Sequence, residues 1–114
     1  MQVDVTAIVL GSQQLVTDRT ETGWQTRAVA RFDAYTEDGS ALVAVTGDQA
    51  TLLGLLGFDG NLAAAQDWPA GEGGAAPTMT EVAAWWTAQL AAKGAALAAA
   101  FAGKQATAFV AAGD

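Results

Sequence analysis

The chain has 114 residues, with twelve acidic side chains against five basic ones and a formal net charge of −7 at pH 7. Cysteine and histidine are both absent, which excludes a thiol nucleophile, a disulfide framework, a cysteine-based zinc site and imidazole catalysis. A chain of this length is typical of one domain with a single core. We therefore expect a single-domain protein, residues 1–114, that is not an enzyme and uses no cofactor or metal ion.

The N-terminal residues 1–5 contain no basic segment and no long apolar core, so we expect no secretory signal peptide. The most apolar long stretch, residues 82–102, contains Gln89 and Lys93 and is mostly alanine. Alanine is too weakly apolar to drive membrane insertion, so this stretch predicts a helix of a soluble protein. We expect an intracellular, cytoplasmic protein, or one that is assembled into a virion.

The first part of the chain, residues 2–46, predicts a β-rich region. Residues 2–10 alternate between two faces as a strand does, and residues 13–17 form a second extended segment. Gly11 and Ser12 between them form the Gly-X pair that is typical of a tight hairpin turn. The sequence therefore predicts a hairpin centred on these two residues.

Residues 24–35 are the longest predicted strand. One face is apolar except for Thr26, and the other carries mostly polar side chains: Gln25, Arg27, Val29, Arg31, Asp33 and Tyr35. Twelve extended residues reach about 40 Å at about 3.3 Å each. Such a strand either contains a bulge or extends beyond its sheet as an arm. The polar residues 36–39 then turn the chain, and residues 40–46 return it as another strand.

Beyond these strands the pattern becomes helical, and residues 48–68 predict short helices. The first covers residues 49–56 and is followed by Gly57, which suits the left-handed conformation after a helix. Residues 61–68 predict one or two further helical turns. Residues 69–77 are rich in glycine, alanine and proline and have the composition of a flexible connection.

The last helix is predicted over residues 78–102. Thr78 and Glu81 have the spacing of a capping box, in which side chains satisfy the free amides of the first turn. An apolar stripe follows at helical spacing: Val82, Trp86, Leu90, Leu97 and Phe101. Residues 105–111 form either a final strand or a frayed tail. The predicted fold class is α+β, an antiparallel β-meander of about four to five strands packed against this long C-terminal α-helix.

Two adjacent tryptophans on this helix favour self-association. Neighbouring helical residues lie about 100° apart, so Trp86 lies on the apolar stripe and Trp85 needs a second surface. That surface is either the connection containing Trp68 or another subunit. Alanine on the other faces permits close approach of a neighbour. The alternative is a monomer in which the connection and the short helix cover these faces.

The leading hypothesis is a non-catalytic structural or assembly protein that acts through protein–protein contacts in a homo-oligomer. A head or tail accessory subunit of a phage virion fits this description. The expected partners are copies of the chain itself and other protein subunits, with no membrane involved. The predicted interaction residues are Trp85, Trp86, Tyr35, Glu37, Asp38, Arg27 and Arg31.

A second hypothesis is a small, OB-like module that binds single-stranded nucleic acid. Arg27, Arg31 and Tyr35 share one strand face, and such modules combine cations with aromatic rings that stack on bases. Asp33 interrupts this strip, however, and residues 1–60 contain three arginines against eight acidic residues. The negative electrostatic field of this excess of acidic residues repels phosphate, so we do not expect a nucleic-acid partner. The sequence instead favours a solvated sheet face with cross-strand ion pairs.

Overall fold

The computed structural model describes residues 2–101 and 104–107. It confirms the α+β class, with antiparallel strands and one long C-terminal helix. A short 3-10 turn also occurs at Glu72–Gly74. The helices and strands are β1 (Gln2–Val5), β2 (Ala7–Arg19), β3 (Gly23–Asp38), β4 (Ala41–Ala44), α1 (Gly47–Leu55), β5 (Asn61–Pro69), α2 (Met79–Ala100) and β6 (Lys104–Thr107).

Strand β3 is the centre of the main sheet. On one side it pairs with β2 along twelve residue pairs, and on the other side it pairs with β5 and β4, which lie end to end. The gap between β5 and β4 is bridged by two backbone hydrogen bonds. The Phe32 amide donates to the Gly60 carbonyl (2.8 Å), and the Val45 amide donates to the Ala34 carbonyl (3.0 Å). Strands β1 and β6 form a second, two-stranded sheet.

The predicted turn at Gly11 and Ser12 is wrong, because β2 runs straight through these residues. Leu10 pairs with Phe32 and Ser12 pairs with Arg31, so Gly11 is the extra residue of a β-bulge. The chain instead reverses between β2 and β3 at residues 20–22. Glycine before a polar residue suits a bulge as well as a turn, and the continuous partner strand decides between them.

The prediction of short helices over residues 48–68 is correct only in its first part. Helix α1 ends at Leu55 and is followed by Gly57 with a φ of +97°, as expected for a left-handed residue. Residues 61–68 are wrongly predicted as helical, because they lie in strand β5. There the alternating half-buried side chains are Leu62, Ala64, Gln66 and Trp68. Pairing with the edge of β3 overrides the helical preference of the alanines.

Helix α2 begins where the capping pattern predicted. The Thr78 hydroxyl accepts a hydrogen bond from the Glu81 amide at 3.1 Å, and the helix continues to Ala100. Strand β6 covers the start of the predicted last strand, whose residues 108–111 lie outside the described residues. The predicted flexible connection contains the 3-10 turn and a hydrogen bond from the Gly71 amide to the Ala75 carbonyl (2.9 Å).

The buried apolar residues form two main clusters. The aliphatic cluster, contributed by β1, β3 and α1, consists of Val3, Val5, Ala34, Leu52 and Leu53. The tryptophan cluster lies between the sheet and α2 and consists of Ala28, Ala30 and Trp86, with half-buried Leu10, Leu62, Ala64, Trp85 and Leu90 packed against it. The two clusters lie at successive positions along β3.

The molecule is elongated. Its radius of gyration is 18.5 Å, against about 13 Å for a compact chain of this length. Its principal extents are 64 × 29 × 19 Å. The length follows the sixteen residues of β3, which run from the α2 end of the sheet to the tip of the β3–β4 hairpin. Elongation leaves much of the sheet exposed.

Candidate interaction surfaces

The end of the β3–β4 hairpin extends beyond the rest of the sheet. Strand β2 pairs with β3 no further than Tyr35, whereas β4 continues to pair as far as Asp38. We call residues 36–43 the arm. Of the two outcomes expected for the long strand, the second is present, since β3 projects as an arm, whereas the bulge lies in β2.

The arm exposes apolar side chains beside its acidic residues. Leu42 is 52 % exposed and pairs with Glu37, and Val43 is 42 % exposed. Glu37 and Asp38, both predicted interaction residues, are also exposed there. Gly39 turns the arm with a φ of +68°. The arm therefore offers an apolar and acidic surface that contributes little to either buried cluster.

The open sheet face is the side of β3 that α2 does not cover, and it carries the predicted arginines. Arg27 forms an ion pair with Asp18 across the strands (2.7 Å), and Arg31 forms one with Asp33 on its own strand (3.1 Å). Val29 lies between the two arginines and is 51 % exposed. The face is therefore a solvated surface with paired charges, as the sequence favoured.

Tyr35 is the third member of the predicted strip, and the structure brings only one of the arginines near it. Arg31 and Tyr35 both line a groove of about 520 Å³ beside the gap between β4 and β5. Arg27 lies eight residues earlier on the same strand and does not line this groove. Asp33 and Asp59 also line it, so its charge is mixed rather than basic.

Asp59 lies in the turn that leads into β5. Its carboxylate accepts a hydrogen bond from the Asn61 amide at 3.0 Å. This hydrogen bond lowers the pKa of Asp59 below its ordinary value, a slight desolvation opposes the change, and the positive charge of Lys93 adds to the lowering. Because the group is fully exposed, its role is to shape the turn rather than to act as an acid or base.

The two adjacent tryptophans of α2 both pack against the sheet. Trp86 is 4 % exposed and lies on Ala28 and Ala30 of β3, and its indole N–H donates to the Gln13 side-chain oxygen at 2.7 Å. Trp85 is half-buried against the same cluster, with its ring centroid 5.8 Å from that of Trp86. The second surface that Trp85 required is thus provided in part by its own sheet.

Two further indoles are held by polar contacts near the start of β3. The Trp68 N–H donates to the hydroxyl of buried Thr26 (3.0 Å), which also shares a hydrogen bond with the Thr17 hydroxyl (2.8 Å). The Trp24 N–H donates to the Gly74 carbonyl at 3.1 Å. Thr26, the polar interruption in the apolar strand face, therefore joins β2, β3 and β5. The bond to Gly74 fixes the connection onto the sheet.

An apolar groove that the sequence did not reveal lies between β2 and α2. We call it the helix–strand groove, and its volume is about 530 Å³. Its lining includes Leu15, Pro77, Met79, Val82, Thr87 and Leu90. Met79 lies three residues before Val82 and so extends the apolar stripe of α2 by one turn, which the spacing could have indicated. The contribution of Leu15 depends on the bulge at Gly11, which sequence reasoning took for a turn.

Within residues 2–101 and 104–107, no three acidic side chains gather in a way that could hold a metal ion. None of the helices described combines the length and the apolar character that crossing a bilayer requires. No family model, curated protein or solved structure matches the chain. The candidate interaction surfaces described above are three: the arm, the open sheet face and the helix–strand groove.

Proposed function

We propose that the protein is a non-catalytic structural or assembly protein that works through protein–protein contacts in a homo-oligomer. The observation that carries this proposal is the arm. It extends the hairpin past the first residues of β2 and exposes Leu42 and Val43, which belong to neither the aliphatic nor the tryptophan cluster of the described residues. Exposed apolar side chains on a projecting element are typical of surfaces that contact another protein.

The setting that we propose is a particle such as a phage head or tail, in which the chain is an accessory subunit. Support comes from the physical character of the molecule. It is long and narrow, it is acidic, and its sequence has no thiol or imidazole with which to build a catalytic centre. An arm at one end of an elongated subunit can reach a neighbour and leave the rest of each subunit unchanged.

Protein partners fit the open sheet face better than nucleic acid does. Both guanidinium groups of the predicted strip already contact carboxylates, at Asp18 and Asp33. A phosphate backbone would have to compete with these carboxylates in a molecule of net charge −7. A fluorescence titration with a single-stranded oligonucleotide at low salt tests this, because phosphate binding is strongest there. Tight binding would overturn the choice of protein partners.

The test of the proposed function measures absolute mass by light scattering after size exclusion, at two protein concentrations. The wild-type chain is expected to form an oligomer of fixed stoichiometry. The double variant Leu42→Ser with Val43→Ser removes the apolar surface of the arm and leaves its turn intact. We expect this variant to have a lower mass than wild type and an unchanged unfolding midpoint.

The matched control is Val29→Ser, which removes a similarly exposed apolar side chain from the open sheet face. It should keep the wild-type mass. A wild-type monomer at both concentrations would overturn the homo-oligomer. A double variant with the wild-type mass would show that the arm is not the contact.

A further inference from the structure

Strand β2 leaves one of its backbone edges without a partner in the part of the chain that the structure describes. Three backbone hydrogen bonds made by β3 show which of its residues direct their backbone groups toward β2. The Thr6 amide donates to the Tyr35 carbonyl, the Phe32 amide donates to the Gly60 carbonyl, and the Val45 amide donates to the Ala34 carbonyl. Odd-numbered residues of β3 therefore direct their backbone groups toward β2, and even-numbered ones direct theirs away from it.

The register between β2 and β3 then determines, for each residue of β2, whether its amide and carbonyl point toward β3 or away from it. Ser12, Gln14 and Val16 pair with odd-numbered residues of β3, so their amides and carbonyls are used within the sheet. Those of Gln13, Leu15 and Thr17 point outward. All three of these residues are exposed. The outer edge of β2 thus offers a regular row of hydrogen-bonding groups on the far side of the bulge.

Apart from the bulge at Gly11, residues 12–17 of this edge lack the devices that usually protect exposed strands. Strand β2 contains no lysine or proline, and its charged residues, Asp18 and Arg19, lie only at its end. Strand β5, which forms part of the opposite edge of the sheet, is shorter and ends at Pro69. An unprotected edge of this length is a template for another strand.

The helix–strand groove lies directly beside the same edge. Leu15 belongs to both features, because its backbone is on the free edge and its side chain lines the groove. Met79, Val82 and Leu90 of α2 line the groove above it, and Met79 is among the most exposed apolar side chains of the molecule. The hydrogen-bonding edge and the apolar groove therefore form one continuous surface.

We infer that this surface binds a second copy of the chain, with the two β2 strands paired antiparallel about a two-fold axis at Leu15. This inference rests on the proposed homo-oligomer and names one of its interfaces. Leu15 is the midpoint of the regular stretch between the bulge at Gly11 and the end of β2 at Arg19. The axis brings Gln13 opposite Thr17 of the second copy. It also places Asp18 opposite Ser12 of the second copy, so no like charges face each other.

The position of α2 suits this arrangement. Trp86 contacts Gln13 of β2 and packs with Ala28 of β3, and Leu62 and Ala64 of β5 pack against the same cluster, so α2 covers one face of the sheet as far as its free edge. A two-fold axis at Leu15 places both copies of α2 on the same face of the joined sheet, one on each side of the axis. The groove of each subunit then opens toward the other subunit.

The area is sufficient for a specific dimer. The eight residues of β2 after the bulge span about 26 Å at about 3.3 Å each. The thickness of the molecule is 19 Å. The projected contact is therefore roughly 500 Å² on each subunit and roughly 1,000 Å² in total, which reaches the lower limit for biological interfaces. Interdigitated side chains bury more accessible surface than this projection.

The experiment uses the full chain with the Leu42→Ser and Val43→Ser changes, so that the arm makes no contribution to the mass. Light scattering should give this parent twice the chain mass of 11.5 kDa. Adding Leu15→Lys places two positive charges against each other at the axis and should give a monomer. Adding Leu15→Glu instead places two negative charges against each other and should also give a monomer. An equimolar mixture of the Lys and Glu variants should form a heterodimer.

The matched control is Val29→Lys in the same parent, which adds the same charge to the open sheet face and should remain a dimer. A dimeric Leu15→Lys variant would overturn this interface and leave the proposed homo-oligomer standing. A monomeric parent beside an oligomeric wild-type chain would also overturn the interface alone. If the wild-type chain itself is monomeric, the proposed function fails as well.

Discussion

The aliphatic cluster and the tryptophan cluster bury apolar surface in different ways. In the aliphatic cluster, branched side chains from β1 and α1 pack on β3, and the side chains of Val3, Val5 and Leu52 are almost fully buried. In both clusters β3 contributes alanines, Ala34 to the first and Ala28 and Ala30 to the second, but in the tryptophan cluster the large indole of Trp86 lies on them. Small residues on the strand make room for a bulky residue on the helix.

The two clusters also differ in their polar contacts. Three indoles donate their N–H groups to defined acceptors, namely the Gln13 side chain, the Thr26 hydroxyl and the Gly74 carbonyl. Each bond fixes the orientation of a ring that apolar packing alone would leave free to shift. The aliphatic cluster therefore contributes stability through burial, and the tryptophan cluster also fixes how α2 and the connection lie on the sheet.

The largest expected effect comes from breaking the aliphatic cluster. Leu52→Ala removes a side chain that is 2 % exposed and leaves a cavity between α1 and the sheet. We expect the free energy of unfolding to fall by about 2–5 kcal/mol. Urea denaturation followed by circular dichroism measures this. Leu55→Ala in the same helix is the control, because Leu55 is 78 % exposed and its loss should change stability by at most about 0.5 kcal/mol.

A smaller effect is expected from the polar contacts at the indoles. Thr26→Val keeps the volume of the side chain but removes the hydroxyl, so the Trp68 N–H loses its acceptor in a half-buried site. The free energy of unfolding should fall by about 1–3 kcal/mol. Thr22→Val, in the exposed turn between β2 and β3, should leave stability nearly unchanged. Equal losses in the two variants would contradict a specific role for the Thr26 hydroxyl.

The smallest effect concerns Asp59, in the turn between the two clusters. Its pKa is lowered in the folded state, so the charged carboxylate stabilises the fold above its unfolded pKa of about 3.9. That contribution is lost as the pH falls through the lower, folded pKa. The stability of Asp59→Asn should therefore depend less steeply on pH below about 4 than that of wild type. Unfolding curves at several acid pH values measure the two slopes, and identical slopes would contradict this role.

Sequence reasoning was reliable where residue types differ sharply between neighbouring positions. The Thr78 cap predicted the start of α2, and the alternation in residues 24–35 predicted the buried face of β3. Residues 61–68 failed because alanine occupies three consecutive positions, 63–65, and gives neither a two-residue nor a helical period. Only the partner strand β3 determines that this segment is extended.

The candidate surfaces likewise divide into two that the sequence predicted and one that it did not. The arm followed from the length of the predicted strand, and the paired arginines followed from the charges beside them. The helix–strand groove could not be predicted, because Leu15 reaches it through the bulge at Gly11, although Met79 continues the apolar stripe of α2. The groove forms through contacts between β2 and α2, two segments that are more than sixty residues apart in sequence.

The bulge at Gly11 also determines how this strand can change in evolution. It shifts the alternation of β2 by one residue, so that Leu10 and Leu15 reach the same face of the sheet. Loss of this single residue would reverse every side chain from Ser12 to Arg19, moving Leu15 to the open face and Val16 under the helix. A Cβ at Gly11 would meet the Asp33 carboxylate, the movable end of a side chain, so a substitution here would displace that carboxylate and leave the strand in place. Descendants of this chain can therefore gain or lose residues in the β2–β3 turn far more readily than in the middle of β2.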